Sequence, residues 1–247
     1  KEFLPDATRL MEPSCTWDAI DAAFLWLTLF DEKAEASACA ALARTRPEDN
    51  SGSWAAFIWN CALLDAPSAR RCLEQSDTPK ASSSALLDVA EGWMLHFEDQ
   101  EAAARLLESV EKTVELGGAD MRLGPYWYSL LNHIPRSAAF IEMIKKKNDT
   151  LHLVLLAMAC KRFGASDAAL PGKLIELAES AVKTVSDWVH CGTARWNIEG
   201  NYQAFKRCMK KALDETCTAE ELWYVTERER KICPYVVVGD YPENRNS

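Results

Sequence analysis

The sequence predicts an all-α protein built from antiparallel helical hairpins, and three observations lead to this prediction. Apolar residues recur at intervals of three and four, as in WDAIDAAFLWLTLF (17–30) and EAAARLLESVEKTV (101–114). Glycine and proline are few, with ten of each in 247 residues, and segments that favour strands are scarce. The loops between the apolar runs are short, which favours antiparallel neighbours.

A repeated spacing organises these helices. Six small or apolar positions follow one another at intervals of 33 and then 34 residues: Cys39, Cys72, Leu106, Phe140, Leu174 and Cys208. A tryptophan stands thirteen residues before the first four of them, at Trp26, Trp59, Trp93 and Trp127, whereas the fifth copy has Lys161 and the sixth has Trp196 one residue late. A constant distance predicts that the tryptophan ends the first helix of a hairpin and that the cysteine position lies in the second.

Helix starts can be predicted in order along the chain from residues that cap helices. The first helices are expected to begin near Thr16, Ser53, Ser84, Thr150, Ser186 and Thr218, and Asp99 is expected to cap a second helix. Thr218 and Glu221 form a capping-box pattern at the start of the last helix, 218–232. Pro125 and the LPG at 170–172 predict that the fourth and fifth copies are irregular.

The hairpin is too small a unit to bury its own apolar face, so its neighbours must cover it. The sequence therefore predicts one array over residues 16–233, preceded by a lead or cap at 1–15 and followed by a short extended tail at 234–247. The YVVVGDY run at 235–241, in that tail, is the only convincing β-like segment.

A 34-residue helix-turn-helix unit resembles the tetratricopeptide repeat (TPR). The second helices carry that family's small, large, small spacing, with the small position at Ala36, Ala69, Ala103 and Ser137 and departures at Pro171 and Phe205. The family's first-helix glycine is replaced, by Phe24 and Phe57 in the first two copies. The resemblance implies a right-handed α-solenoid of about six to seven stacked hairpins whose first helices line a concave groove.

The composition excludes several functions. A net charge of −9 and a longest basic run of only Lys145 to Lys147 argue against nucleic acid as a partner, an RNA-binding array included. The apolar run at 153–160 is too short to cross a membrane. Nine cysteines are an odd number for a disulfide framework and indicate reduced thiols in the cytoplasm. The four histidines stand in no catalytic motif, so neither a catalytic residue nor a cofactor is predicted.

The resemblance also implies a site, because the first helices of the family receive a peptide or protein segment. The positions carried over are Asp18, Asp21, Trp54, Asp88, Arg122, Tyr126 and His190, with Asp187 beside them as a helix-terminus residue. They predict a protein-interaction scaffold that takes a basic or mixed segment with an apolar anchor, because Trp, Tyr and Arg are common in binding hot spots. Such a scaffold would be free-standing or part of a larger signalling, protease or defence system.

An alternative of a different class stays open. His190, Cys191, Cys208, Cys217 and Cys233 form a C-terminal pool that an α-helical enzyme or a metal-dependent regulator would use. The repeat-position cysteines Cys39, Cys72 and Cys208 and the spaced tryptophans are instead predicted to be packing residues.

Overall fold

The structure, a computed structural model, describes residues 16–42, 51–78, 81–114 and 120–232, and over these ranges it is helical without a strand. The all-α prediction is confirmed there, and none of these helices is both long and apolar enough to cross a membrane. The predicted lead at 1–15 and the tail at 234–247, with its β-like run, lie outside the described residues.

Thirteen α-helices and one π-helical turn make up the described part of the chain. The helices are α1 Thr16–Phe30, α2 Lys33–Leu42, α3 Ser51–Phe57, α4 Ala66–Ser76, α5 Ser83–Phe97, α6 Gln100–Val114, α7 Leu123–Ser129, α8 Ile134–Lys147, α9 Thr150–Phe163, α10 Leu170–Ser180, α11 Val185–Glu199, α12 Tyr202–Glu215 and α13 Ala219–Ile232. The π-helical turn, Ile58–Ala62, follows α3 directly.

The chain divides into two compact units, residues 1–134 and 135–247. In the first unit, α1 packs on α2, α3 on α4 and α5 on α6, while α1, α3, α5 and α7 contact one another in sequence. In the second unit, α9 packs on α10 and α11 on α12, and α11 contacts both α9 and α13. Within each unit, adjacent hairpins therefore pack with their first helices side by side.

A recurring turn explains the constant spacing between the tryptophan and cysteine positions. Five residues after the tryptophan position, the backbone takes the left-handed conformation, with φ between 51° and 63° at Asp31, Leu64, Glu98, Asn132 and Gly200. The N–H of the following residue donates to the carbonyl of the tryptophan position, for example from Asp65 to Trp59 at 2.7 Å. A left-handed residue, with backbone N–H groups that reach back to the last carbonyls of the helix, is a common way to end a helix.

The residue after the left-handed one then starts the second helix. Asp65, Asp99 and Asn201 each accept a backbone N–H from the residue three positions further on. The link is two residues long between α1 and α2, α5 and α6, and α11 and α12, three after the π-helical turn and four between α7 and α8. The left-handed turn is the same in these five copies, and it sets the spacing. The fourth and fifth copies differ as predicted, since α7 has only seven residues and α9 ends at Gly164 with a longer link to α10.

The second helices bury the same face in every copy. The small position is buried from Ala36 to Phe205, and so is the large position four residues later, with Leu73, Leu107 and Ile175 fully inaccessible. Two residues beyond the cysteine position, the glutamates at 74, 108, 142 and 176 are exposed. The predicted apolar register of the second helices is thus confirmed over the described residues, with Pro171 accommodated in the first turn of α10.

The spaced tryptophans and cysteines are packing residues, as predicted. Trp26 and Trp93 are 5% exposed and Trp127 2%, whereas Trp59 is half-buried. Cys39 and Cys208 are buried, and Cys72 is half-buried. Burial raises the pKa of the Cys72 and Cys208 thiols to about 11, so both stay protonated at neutral pH.

Several predicted helix starts were displaced by a few residues. The capping side chains are Ser82 rather than Ser84 and Thr184 rather than Ser186, whereas α9 begins at Thr150 as predicted, with Asp149 as its cap. Ser53 lies inside α3, where its hydroxyl donates to the carbonyl of Asp88. Each true start is preceded or followed by further Ser, Thr or Asp residues, so residue type alone did not select the cap. Asp99 and the Thr218 capping box were predicted correctly.

Candidate protein-binding surface

Three exposed or half-buried aromatic rings lie together on the first helices of the N-terminal unit. Phe24 is on α1, and Trp54 and Phe57 are on α3. Their ring centroids are 6.1 Å apart for Phe24 and Trp54, 6.0 Å for Phe24 and Phe57, and 6.2 Å for Trp54 and Phe57. Trp54 is 44% exposed and Phe57 39%. We call Phe24, Trp54 and Phe57 the aromatic surface.

The repeat places these rings where they are. Phe24 and Phe57 occupy equivalent positions 33 residues apart, so they face each other across the contact of α1 with α3. Trp54 precedes Phe57 by three residues and shares its side of the helix. Ala55 and Ala56 of α3 are buried, and so is Ile58 at the start of the π-helical turn, which fixes the orientation of the exposed side.

Acidic and aliphatic side chains continue the exposed face of α1. Asp18 and Asp21 are exposed, and Leu25 and Leu29 are 41% and 67% exposed. Spacings of three and four residues put them on one side of the helix. This face is therefore acidic near its N-terminus and apolar further along.

Arg122 is held by a half-buried cluster of acids. Its guanidinium pairs with Asp88 of α5, bonds Asp120 at 2.8 Å, and donates to the hydroxyl and carbonyl oxygens of Ser84 at 2.8 and 3.1 Å. Burial opposes the charge, but the hydrogen bonds and charges of Asp120 and Asp88 raise the pKa of Arg122 above its usual value. Arg122 and Asp88 therefore join α5 to the segment that leads into α7.

Tyr126 lies beneath this cluster. It is 1% exposed, and its hydroxyl donates to a carboxylate oxygen of Glu91 at 2.5 Å. Burial and the Glu91 carboxylate raise its pKa. Of the six predicted site residues in this unit, the structure leaves Asp18, Asp21 and Trp54 exposed. The other three, Asp88, Arg122 and Tyr126, lie in an internal polar network.

The seventh predicted residue, His190, belongs to the second unit. It is half-buried on α11, with its Nε2 atom 3.2 Å from the hydroxyl of Ser186, and burial lowers its pKa. Asp187 accepts the backbone N–H groups of Lys183 and Thr184 at 3.0 Å each. Its predicted role at the helix terminus is confirmed.

Four members of the C-terminal pool of histidine and cysteine lie within the described residues: His190, Cys191, Cys208 and Cys217. Cys191 and Cys208 are buried, Cys217 is exposed, and Cys233 lies outside the described residues. The Cys208 thiol donates to Glu179 at 3.8 Å. Among the residues that the structure describes, no group of three or more His, Cys, Asp or Glu is placed to hold a metal ion. The described part of the chain thus adds no support for the metal-dependent alternative.

Sequence reasoning missed Phe24 and Phe57 as surface residues. The signal was present in the sequence, because Phe24 and Phe57 occupy equivalent positions of neighbouring copies and Trp54 stands three residues before Phe57. Trp54 was predicted, but its ring partners were not.

Fold and surface together define an all-α protein of packed helical hairpins with exposed aromatic rings on its first helices. Comparisons with protein-family models, with curated proteins and with solved structures found no match. The case for a function therefore rests on the residues of this chain.

Proposed function

We propose that the chain is a TPR-like α-solenoid that acts as a protein-interaction scaffold and binds a peptide or protein segment across α1, α3 and α5. The aromatic surface is the observation that carries the proposal. Large apolar side chains that stay exposed together are typical of interaction sites. Tryptophan above all supplies binding free energy when a partner removes it from water.

The aromatic surface is suited to binding because its helices are fixed. Phe24 and Trp54 project from two helices that pack side by side, and each helix is anchored by its own second helix. A rigid surface loses little side-chain entropy when a ligand is bound. Side-by-side first helices also give an extended face that suits an elongated segment.

The charges near the aromatic surface favour a basic or mixed partner. Asp18 and Asp21 are exposed on the same face of α1 as Leu25, and the whole chain carries a net charge of −9. Exposed ion pairs contribute little affinity and weaken with salt, whereas contact with the rings does not depend on salt in this way. We therefore expect an apolar anchor on the rings and lysines or arginines beside it. The seven described cysteines are all free thiols, which favours a reducing compartment, and we propose the cytoplasm.

Binding should depend on Trp54 and on the sign of the ligand's charge. The purified chain is titrated with a lysine-containing peptide that carries one tryptophan anchor, and with a matched peptide in which glutamate replaces lysine. We expect the basic peptide to bind more tightly, and to lose affinity when salt is raised. Trp54→Ala should weaken its binding about tenfold or more, as expected for a hot-spot residue.

Trp223→Ala is the matched control, because Trp223 is 65% exposed on α13 and lies in the other unit. It should leave the affinity unchanged. Tighter binding of the acidic peptide, or equal effects of the two tryptophan substitutions, would contradict the proposal. Circular dichroism of each variant verifies that its helices are retained.

A further inference from the structure

A thiol and an imidazole meet beside the aromatic surface. Cys61 lies in the π-helical turn after α3 and is exposed. Its Sγ atom is 3.8 Å from Nδ1 of His96, which projects from α5. The His96 ring is itself held against Phe57, with ring centroids 6.2 Å apart. The pair is therefore positioned by two helices that pack on each other.

The neighbouring amide defines which form of His96 faces the thiol. Asn60 Nδ2 lies 3.3 Å from the same Nδ1 atom, and an amide nitrogen can only donate a hydrogen bond. Nδ1 is then the unprotonated nitrogen, with the ring proton on Nε2. Burial lowers the pKa of His96, so the ring is neutral at neutral pH. Nδ1 has one lone pair, so it accepts the thiol proton when the Cys61 S–H replaces the Asn60 amide as its donor.

The π-helical turn brings both groups to His96. Its wide ring is closed by a hydrogen bond from the N–H of Leu63 to the carbonyl of Ile58 at 3.0 Å. Asn60 and Cys61 lie within this turn, and both contact the one imidazole nitrogen. Turns of this kind are uncommon in helices and are frequent at functional sites.

Cys61 differs from the other described cysteines. Cys39, Cys160, Cys191 and Cys208 are buried and Cys72 is half-buried. Burial raises the pKa of Cys160 and Cys191 to about 12 and that of Cys72 to about 11. Cys217 is exposed, but its thiol donates to the backbone carbonyl of Glu215 at 3.4 Å, and a carbonyl cannot take up the proton. Accessibility and an adjacent base coincide at Cys61.

We propose that Cys61 is a site of reversible modification by low-molecular-weight disulfides, with His96 as the base. Sγ of Cys61 attacks one sulfur of the small disulfide while its proton passes to Nδ1 of His96. A Cys61–sulfur bond forms as the original disulfide bond breaks, and the departing thiolate takes the proton from His96 and leaves as a thiol. The small disulfide is the oxidant, so no further reagent is needed. This site is independent of the proposed function.

The rate of mixed-disulfide formation tests the proposal. The reduced full chain is incubated with glutathione disulfide near neutral pH, quenched with acid and digested, and the peptides with Cys61 and Cys217 are quantified by mass spectrometry. We expect Cys61 to react about tenfold faster than Cys217 or more, as base assistance predicts. His96→Phe retains a ring beside Phe57 but removes Nδ1. It should lower the reaction rate of Cys61 to that of Cys217 and leave the reaction rate of Cys217 unchanged.

His96→Gln provides a second variant if the phenylalanine variant does not fold, since glutamine can accept a hydrogen bond but cannot take up the proton. This variant too should lower the rate at which Cys61 reacts with glutathione disulfide. Equal rates of Cys61 and Cys217 in the unaltered chain would overturn the proposal. So would a Cys61 rate that neither substitution of His96 changes.

Discussion

Replacing Trp93 with alanine is expected to lower the free energy of unfolding by about 3–5 kcal/mol, as for other large buried rings. Trp93 is 5% exposed and lies near the end of α5, where its carbonyl also accepts the N–H of Asp99 in the turn. The Phe97 ring packs 5.5 Å away, and the Arg70 guanidinium lies over the Trp93 ring at 5.3 Å. Alanine would leave a cavity between first and second helices. Urea unfolding followed by circular dichroism measures the loss.

Two controls separate burial from a general sensitivity to tryptophan replacement. Trp93→Phe should cost much less than Trp93→Ala, because the buried Nε1 of Trp93 has no hydrogen-bond partner among the described residues and its removal leaves no orphaned group. Trp223→Ala, at a position 65% exposed, should change stability by less than about 0.5 kcal/mol. A similar cost for Trp93→Ala and Trp223→Ala would show that the repeated tryptophan is not a core residue.

Replacing Arg122 with methionine is expected to destabilise the chain by about 2–4 kcal/mol, less than for a fully buried pair because solvent screens part of the interaction. The change leaves the Asp88 and Asp120 side chains, 13% and 20% exposed, without their shared cation. Asp88→Asn in the same chain should recover part of the loss, because it removes one of the two uncompensated charges. Urea unfolding of the single and double variants measures both effects.

Arg105→Met is the matched control. Arg105 also pairs with an aspartate, Asp77, but its side chain is 59% exposed, so the cost should stay below about 1 kcal/mol. Equal costs for the two arginines would contradict the structural role of Arg122. If Arg122→Met instead left stability unchanged and weakened peptide binding, Arg122 would belong to the binding surface.

The helical hairpins could be predicted from the sequence because the residues that repeat are those that pack in the core. The Trp-to-Cys spacing follows from the recurring left-handed turn between helices, and the positions of Ala69 and Leu73 recur as buried side chains in each second helix. Glycine did not mark the left-handed residue of the turn in most copies, since Leu64 and Glu98 occupy it with φ of 58° and 53°. The turn could therefore be inferred only from the constant spacing between the tryptophan and cysteine positions.

The candidate surface was predicted less completely. Asp21, Trp54, Asp88 and Arg122 occupy equivalent positions of successive copies, and the helices α1, α3, α5 and α7 contact one another in sequence. Equivalent positions on neighbouring helices also lie close enough to bond each other, and the opposite charges of Asp88 and Arg122 make that pairing. A single repeat position thus yields an exposed ring in one copy and an internal ion pair in the next. The contacts between neighbouring helices decide whether the ring or the ion pair forms, and these contacts cannot be predicted from the spacing along the chain.

Footprinting of exposed side chains by hydroxyl radicals, read by mass spectrometry, tests the proposed binding surface most directly. With the basic, tryptophan-anchored peptide at saturation, oxidation of Trp54 and Phe57 should fall, while that of Trp223 should stay the same. Unchanged oxidation of Trp54 and Phe57 at saturation, or protection confined to the second unit, would contradict binding at the aromatic surface.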